Sequence, residues 1–233
     1  MIKTAILIDG GFYQKRAYTL FKSKNPQESA RELIQYCHRL LHHSKKEDVE
    51  LYRIFYYDCP PMKKVLYHPF LKKQIDFSKT ELYQWMNDFL GEMKLQRKVA
   101  VRLGTLADEQ ARYILKPDIL KHLCNGRKSW EDITEDDFIL DVRQKGVDMK
   151  IGLDIASMAY KKQVDRIILI SGDSDFVPAA KLARREGIDF ILDPMQAKIK
   201  DDLTEHIDGI RSCSKLFEKR NKKEDAVQVG ENA

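Results

Sequence analysis

The chain has 233 residues, of which 43% are hydrophobic and 33% charged, and its 41 Lys and Arg against 36 Asp and Glu give a net charge of +5. This composition is ordinary for a globular protein and excludes collagen-like, mucin-like and wholly disordered classes. No apolar run approaches the ~18 residues that a membrane span needs, and the amino terminus lacks a signal peptide's long apolar stretch, which together predict a cytosolic protein.

The four cysteines form no Cys-x-x-Cys pair, so we expect free thiols and neither a zinc ribbon nor a redox motif.

The first quarter of the chain predicts two strands separated by a helix. The run TAILID at 4–9 is short, apolar and closed by an acid and two glycines, as buried parallel strands often are. Asn25 is a suitable N-cap and Pro26 suits a first helical position, which predicts a helix over 27–43. The aromatic and β-branched segment 49–58 predicts a second strand.

The middle of the chain is the least regular part, and it predicts an irregular insertion at about 60–140. Residues 62–93 are basic and aromatic and suggest helices without clear caps. Residues 94–106 alternate apolar and basic side chains, which indicates a strand. The block 130–141 holds six acids and no Lys or Arg, so most of it is expected to be a solvated loop.

The pattern becomes regular again after Gly146. Two further strands are predicted, at 165–172 and 189–193, and helices are predicted at 148–160, at 176–185 before the C-cap Gly187, and at 199–207.

Strands that alternate with helices predict an α/β fold with a mainly parallel central sheet covered by helices on both faces. We expect one domain over 1–217. Residues 218–233 carry four basic and four acidic residues and no aromatic residue, which predicts a disordered tail.

Four carboxylates are predicted to meet at one edge of this sheet. Asp9 ends the first strand, Asp173 and Asp175 follow the strand RIILIS, and Asp148 begins the helix that runs back down to that strand. The carboxyl ends of parallel strands share one edge, where ligands of such sheets bind. Like charges 4 Å apart repel by roughly 4 kcal/mol at an effective dielectric near 20, so bound cations would stabilise the cluster. Oxygen ligands without His or Cys favour Mg²⁺ or Mn²⁺.

Asp154 is harder to place from the sequence. It lies six residues after Asp148, which is about 9 Å along a helix, and it points to a different face. Helix geometry therefore predicts a supporting residue, bonded to Lys150 or to another base.

Several other chemistries are disfavoured. No G-x-G-x-x-G follows the first strand, and the chain has no Walker A motif. A haloacid-dehalogenase-type phosphatase would need an acid at position 11, where this chain has Gly11.

Three segments closely resemble the NYN domain family, the LabA-like (DUF88) branch of the PIN-like nucleases. They are ILIDGGFY at 6–13, KGVDMKIGLDIASMAY at 145–160 and IILISGDSDFVPAAKLARREG at 167–187. The resemblance extends over residues 1 to about 195, apart from the middle segment. It implies a PIN-like α/β/α sandwich and a metal-dependent endoribonuclease that uses Mg²⁺ or Mn²⁺. By motif position it implies that Asp9, Asp148, Asp173 and Asp175 bind the metal, and it adds Asp154 to this set.

The same resemblance gives expectations for the surroundings of the acids. Ser171 or Ser174 could orient a water or a phosphate, and Ser174 could equally cap a helix. Setting aside the five motif acids leaves 41 basic residues against 31 acids, or +10, a charge that attracts a polyanion. The RNA-binding residues suggested by this charge are Lys15, Arg16, Lys63, Lys64, Lys72 and Lys73.

Two alternatives stay open at this point. The chain could be a catalytically weak RNA-binding or regulatory module of the same fold, or a hydrolase of small phosphate esters. The sequence also leaves open a homo-oligomer.

Overall fold

A computed structural model describes residues 1–21, 25–44 and 47–213 of the chain. The predicted tail at 218–233, and the last residues of the predicted domain before it, lie outside the described residues.

The strands are labelled in chain order with the following bounds: β1 Ile2–Asp9, β2 Val49–Asp58, β3 Val65–His68, β4 Lys73–Asp76, β5 Val99–Leu103, β6 Thr105–Leu106, β7 Arg112–Leu115, β8 Phe138–Asp141, β9 Gln144–Lys145, β10 Arg166–Ile170, β11 Asp189–Asp193 and β12 Gly209–Ile210. The helices are α1 Gly10–Phe21, α2 Pro26–Leu41, α3 Glu81–Leu95, α4 Pro117–Cys124, α5 Val147–Tyr160, α6 Val177–Arg185 and α7 Asp201–Glu205.

A six-stranded parallel sheet is the framework of the fold. Its order across the described residues is β12-β11-β10-β1-β2-β5. Ala5 to Ile8 of β1 and Ile167 to Ile170 of β10 are fully buried, because both strands lie inside the sheet with helices over their faces. The predicted α/β class with a parallel, helix-flanked sheet is therefore confirmed.

The helix and strand predictions outside the middle segment agree with the structure. The α2 helix begins as expected, since the Asn25 side chain accepts a hydrogen bond from Glu28 N and Pro26 is its first residue. Gly187, after the end of α6, has φ of +84°, the left-handed conformation expected of a C-cap glycine. The α1 helix was not predicted, because it begins with two glycines, which have low helix propensity.

The chain divides into two compact units. The first contains Met1–Asp58, Asp88–Gly104 and the residues from Gly146 onward, and it holds the six-stranded sheet. The second contains Cys59–Asn87 and Thr105–Lys145.

The second unit is more regular than its sequence predicts. Three antiparallel pairs form in it, β3 with β4, β6 with β9 and β7 with β8, so the expectation of helices throughout 62–93 is wrong for β3 and β4. An aromatic cluster forms its interior, where the His68 ring lies 4.1 Å from that of Tyr113 and 5.5 Å from that of Phe138. These contacts join residues far apart in sequence, which periodicity along one segment cannot reveal.

The acidic block 130–141 is likewise not a simple solvated loop. It contains two short 3-10 turns and β8. The carboxylate of Asp137 is buried, accepts a hydrogen bond from Thr134 N at 2.8 Å and pairs with Lys128 Nζ at 2.6 Å. Lys128 lies just outside the block. A count of the charges within the block therefore missed the base that neutralises Asp137.

Two further sequence expectations concern membranes and thiols. In the described part of the chain, no helix is long and apolar enough to cross a membrane. The four cysteines are free thiols, as predicted.

Candidate active site at the junction of β1 and β10

The candidate site lies where the order of the central sheet changes direction. From β1 the chain proceeds to β2 and β5 on one side, and it later returns to β10 on the other side of β1. Crossovers on the two sides diverge at such a junction and leave a crevice beyond the carboxyl ends of the two strands. Asp9 ends β1 at this place, and Ser171 directly follows β10.

Asp9 is held in one orientation by groups from both strands. Ile8 pairs with Ile170, so Asp9 lies beside Ser171, whose Oγ donates a hydrogen bond of 3.1 Å to Asp9 Oδ2. Phe12 N donates to Asp9 Oδ1, also at 3.1 Å. Burial raises the pKa of Asp9, these hydrogen bonds partly lower it, and the nearby charge of Asp173 raises it again.

Asp173 and Asp175 lie on the turn that follows β10. Asp173 N donates to Ser171 Oγ at 3.3 Å, and Asp173 Oδ1 accepts from Asp175 N at 3.0 Å. The capping residue of this turn is therefore Asp173, whereas the sequence suggested Ser174 for that role. Ser174 Oγ instead accepts a hydrogen bond of 3.2 Å from Lys200 Nζ.

Asp148 lies on the first turn of α5 and is exposed to solvent. Its pKa is raised first by partial burial and then by the charges of Asp9, Asp173 and Asp175. Four carboxylates from three separate segments therefore act on one another electrostatically. This placement is the one predicted for α5, whose first turn lies at the carboxyl edge of the sheet because the helix runs antiparallel to the strands.

Two glycines keep the backbone close to the site. A Cβ added at Gly10 would lie 2.5 Å from Tyr57 O and 2.6 Å from Asp58 Oδ2, closer than real Cβ atoms approach. A Cβ at Gly172 would lie 2.8 Å from Cε2 of the Phe12 ring, so that ring rests against the peptide between Ser171 and Asp173. Phe12 was not among the predicted site residues, although its place just after Gly10 and Gly11 was the available signal.

Asp154 is held by a different set of partners. Tyr57 OH donates to its Oδ2 at 2.9 Å, and Arg102 approaches both carboxylate oxygens, with Nε 3.2 Å from Oδ2 and Nη2 3.4 Å from Oδ1. Helix geometry predicted a supporting residue bonded to Lys150 or another base, and the base is Arg102. The ring of Phe55 lies 5.6 Å from the Arg102 guanidinium carbon and helps to fix it.

Two more acids end strands at the same edge and have structural partners. Asp58 accepts a hydrogen bond from Tyr56 OH at 3.0 Å. Asp193 is fully buried and accepts hydrogen bonds from Tyr36 OH and from Met195 N. Burial raises the pKa of Asp193 to about 6 despite these donors.

The basic residues that were predicted to surround the acids differ in exposure and in hydrogen-bond partners. Lys15 and Lys150 are exposed on α1 and α5, whereas the Arg16 guanidinium donates two hydrogen bonds to Met195 O, at 3.0 and 2.7 Å. Lys64 Nζ donates to Asp108 O at 2.6 Å. Lys63, Lys72 and Lys73 are exposed in the second unit. Lys200, which was not among the predicted residues, contacts the turn that carries Asp173 and Asp175.

The four acids offer only oxygen donors and negative charge, which is the donor chemistry and charge that a hard divalent cation requires. The charges of Asp9, Asp173 and Asp175 add to burial in raising the pKa of Asp148. As placed, however, no group of three His, Cys, Asp or Glu side chains among the described residues could hold a metal ion. The exposed side chains of Asp148, Asp173 and Asp175 would have to turn toward Asp9 to form a complete ligand set.

One family model matches part of the chain. The family model of the NYN domain, a PIN-like nuclease family, matches residues 96–210. The matched segment includes Asp148, Asp154, Asp173 and Asp175. It does not include Asp9, which is the last residue of β1. The match does not distinguish the LabA-like branch.

Two other comparisons add little to this match. No curated protein matches the chain. Among solved structures, a crystal structure of a protein of unknown function from Vibrio parahaemolyticus RIMD 2210633 is similar at 16% identity and a TM-score of 0.42, with 90% of this chain and 91% of the other covered.

Proposed function

We propose that this protein is a divalent-metal-dependent endoribonuclease that hydrolyses phosphodiester bonds of RNA at Asp9, Asp148, Asp173 and Asp175. The observation that carries the proposal is the convergence of Asp9 and the Asp173 turn on one hydroxyl group, Ser171 Oγ, beyond the ends of β1 and β10, in a chain whose residues 96–210 match a nuclease family. We place the protein in the LabA-like branch on the motifs quoted above.

The electrostatics favour a role in chemistry over pure RNA binding. A surface that only binds RNA has no use for a cluster of acids, because carboxylates repel phosphate. A divalent cation reverses this repulsion, and NYN domains are nucleases that generally use such metals. Asp9, Asp148, Asp173 and Asp175 would hold Mg²⁺ or Mn²⁺ together.

When bound, the cation would lower the pKa of the attacking water and stabilise charge on the leaving oxygen. The chain's own residues prepare the site for this. Ser171 and Phe12 N fix the orientation of the Asp9 carboxylate before any ligand arrives. Such preorganisation lowers the cost of ordering the site during the reaction.

Lys200 and Ser174 form a polar pair beside the turn that carries two of the acids. We assign to this pair the contact with a substrate phosphate, since Lys provides a cation and a hydroxyl group can donate a hydrogen bond to a phosphate oxygen. Asp154 is assigned a positioning role on α5, because the cation Arg102 already neutralises its carboxylate, whereas Asp9 accepts hydrogen bonds from the neutral donors Phe12 N and Ser171 Oγ.

The experiment combines two readouts on one labelled RNA. Cleavage is measured in Mn²⁺ and in EDTA, and binding is measured by gel shift in EDTA. We expect cleavage only with Mn²⁺ but binding in EDTA, because Lys and Arg contacts to phosphate do not need the cation. Asp9→Asn should bind RNA at least as well as the wild-type protein, since it removes a negative charge, but should not cut.

The other outcomes identify the alternatives. Binding without cleavage by the wild-type protein in Mn²⁺ would indicate a regulatory RNA-binding module. Hydrolysis of a small phosphate ester without any RNA binding or cleavage would indicate a phosphatase-like enzyme. The cytosolic location predicted from the sequence fits the four free thiols, and it can be checked by fractionation.

A further inference from the structure

The hairpin of β3 and β4 presents exposed aromatic rings among lysines at its tip. Tyr67 on β3 is 58% exposed and Phe70, in the turn between the strands, is 42% exposed. Unlike a single exposed ring, two exposed rings within four residues form a local apolar patch, and polar residues around such a patch are typical of surfaces that contact a partner.

The local structure explains why these rings face outward. Tyr67 pairs with Gln74 across the hairpin and shares its face with Val65, which is also exposed. The opposite face carries His68, which is buried against Tyr113. His68 also shapes the turn, because its Nδ1 accepts a hydrogen bond from Leu71 N at 3.3 Å. The interior of the second unit therefore fixes the hairpin and leaves Tyr67 outside.

The charge around these rings is strongly positive. The segment 63–79 contains five lysines and one acid, Asp76. Two of the lysines have local partners, since Lys64 donates to Asp108 O and Lys79 pairs with Asp76 at 3.3 Å. The other three are exposed and form no ion pair within the part of the chain that the structure describes: Lys63, Lys72 and Lys73.

We infer that this hairpin tip, formed by Tyr67, Phe70, Lys72 and Lys73, binds single-stranded RNA, with a base stacked on Tyr67 and the lysines on neighbouring phosphates. The inference rests on the proposed function, because it takes RNA to be the substrate, and it specifies unpaired RNA. Aromatic rings beside cations are the usual means of binding single strands, whose bases expose their flat faces. A protein partner fits less well, since protein interfaces enrich aromatic residues but deplete lysine.

The chain offers a matched control for Tyr67. Trp130 belongs to the same unit and is 71% exposed, but Glu131 and Asp132 follow it directly, and Lys128, the nearer of the two bases before it, is paired with Asp137. The two acids after Trp130 repel phosphates, whereas the lysines near Tyr67 attract them. A comparison of the two residues therefore distinguishes the effect of an exposed ring from the effect of the charges around it.

The test measures binding of a fluorescent 12-nucleotide single-stranded RNA, and of the same length of duplex, by anisotropy in EDTA. We expect Tyr67→Ala to weaken single-strand binding about 5- to 100-fold, the range of one lost stacking contact. Trp130→Ala should change it less than twofold. The double variant Lys72→Ala/Lys73→Ala should lower the slope of log affinity against log salt by about 1.4, or about 0.7 per phosphate contact.

Equal binding by Tyr67→Ala and the wild-type protein, or equal losses for Tyr67→Ala and Trp130→Ala, would overturn the inference. So would tighter binding of duplex than of single strand, or no binding of the single strand at all. Circular dichroism of each variant confirms that the fold is intact. Because the assay contains no metal, its failure leaves Mn²⁺-dependent cleavage as a separate test of the proposed function.

Discussion

Ser171 Oγ donates a hydrogen bond to Asp9 Oδ2 at 3.1 Å and so joins two residues 162 positions apart in the sequence. The same Oγ accepts from Asp173 N, so one hydroxyl group links the acid of β1 to the acid-bearing turn after β10. Ser171 is fully buried, which removes competing water and keeps this link in place. The relative positions of Asp9 and Asp173 therefore depend on Ser171 as well as on the sheet.

Asp173→Asn tests the metal-binding assignment with little change in shape. Asn keeps the oxygen that caps the turn through Asp175 N but removes a negative charge. We expect RNA cleavage in Mn²⁺ to fall by about 10²-fold or more, the scale of losing one group that stabilises the transition state. The melting temperature should stay within a few degrees of the wild type.

Asp48→Asn is the control for this variant, because Asp48 is 82% exposed and precedes β2 at the opposite edge of the sheet. Unchanged cleavage by Asp173→Asn would remove Asp173 from the site. A large fall in melting temperature would show that its cap on the turn is its main contribution.

Gly10→Ala should destabilise the fold where β1 passes into α1. The added Cβ would meet the backbone oxygen Tyr57 O at 2.5 Å, and β2 cannot move away without disrupting the sheet. We expect a loss of about 2 kcal/mol in the free energy of unfolding, as for other overpacked sites. Urea denaturation followed by circular dichroism measures it.

Gly91→Ala is the matched control, because a Cβ at this position of α3 has nothing within 4 Å. It should stabilise the protein by about 0.5–1 kcal/mol through helix propensity. If both alanine variants were stabilised alike, the close approach at Gly10 would not exist in solution.

A double-mutant cycle on Asp154 and Arg102 distinguishes a positioning residue from a metal ligand. The side chains are 23% and 48% exposed, so their ion pair should contribute a coupling energy of about 0.5–1 kcal/mol to stability. Asp154→Asn and Arg102→Gln should each lower cleavage by about 10- to 100-fold through misplacement of α5 groups. Zero coupling, together with complete loss of cleavage in Asp154→Asn alone, would instead make Asp154 a ligand.

Asp193 should give the protein a measurable dependence of stability on pH. Its pKa rises from 3.8 to about 6 on folding, so protonation favours the folded state, and this contribution is lost as pH rises through about 6. The difference in unfolding free energy between the wild type and Asp193→Asn should therefore fall by about 1.4 kcal/mol from pH 5 to pH 8.

The measurement is urea denaturation of both proteins at each pH, with exposed Asp136→Asn as a control that should track the wild type. A difference that grows with pH would mean that Asp193 is ionised more readily in the folded state than in the unfolded chain.

Much of the fold follows from local sequence patterns, whereas the partners of the site do not. The buried runs of β1 and β10 and the capped α2 helix have signals within a few residues, and the topology then brings Asp9 near Asp173. The ring of Phe12 against Gly172 and the pairing of Asp154 with Arg102 have no local signal, because each depends on packing between distant segments. The β6–β9 and β7–β8 pairs of the second unit were missed for the same reason, since the strands of each pair are more than 20 residues apart in the sequence.

The most direct test of the central claim is an anomalous scattering map from crystals of the protein soaked in Mn²⁺. We predict an anomalous peak in contact with carboxylate oxygens of Asp9, Asp148 and Asp173, with those side chains turned toward one another, and no such peak in Asp9→Asn crystals. A map with no Mn²⁺ at these carboxylates, or with Mn²⁺ bound only elsewhere, would contradict the proposal that this acid cluster holds the catalytic metal.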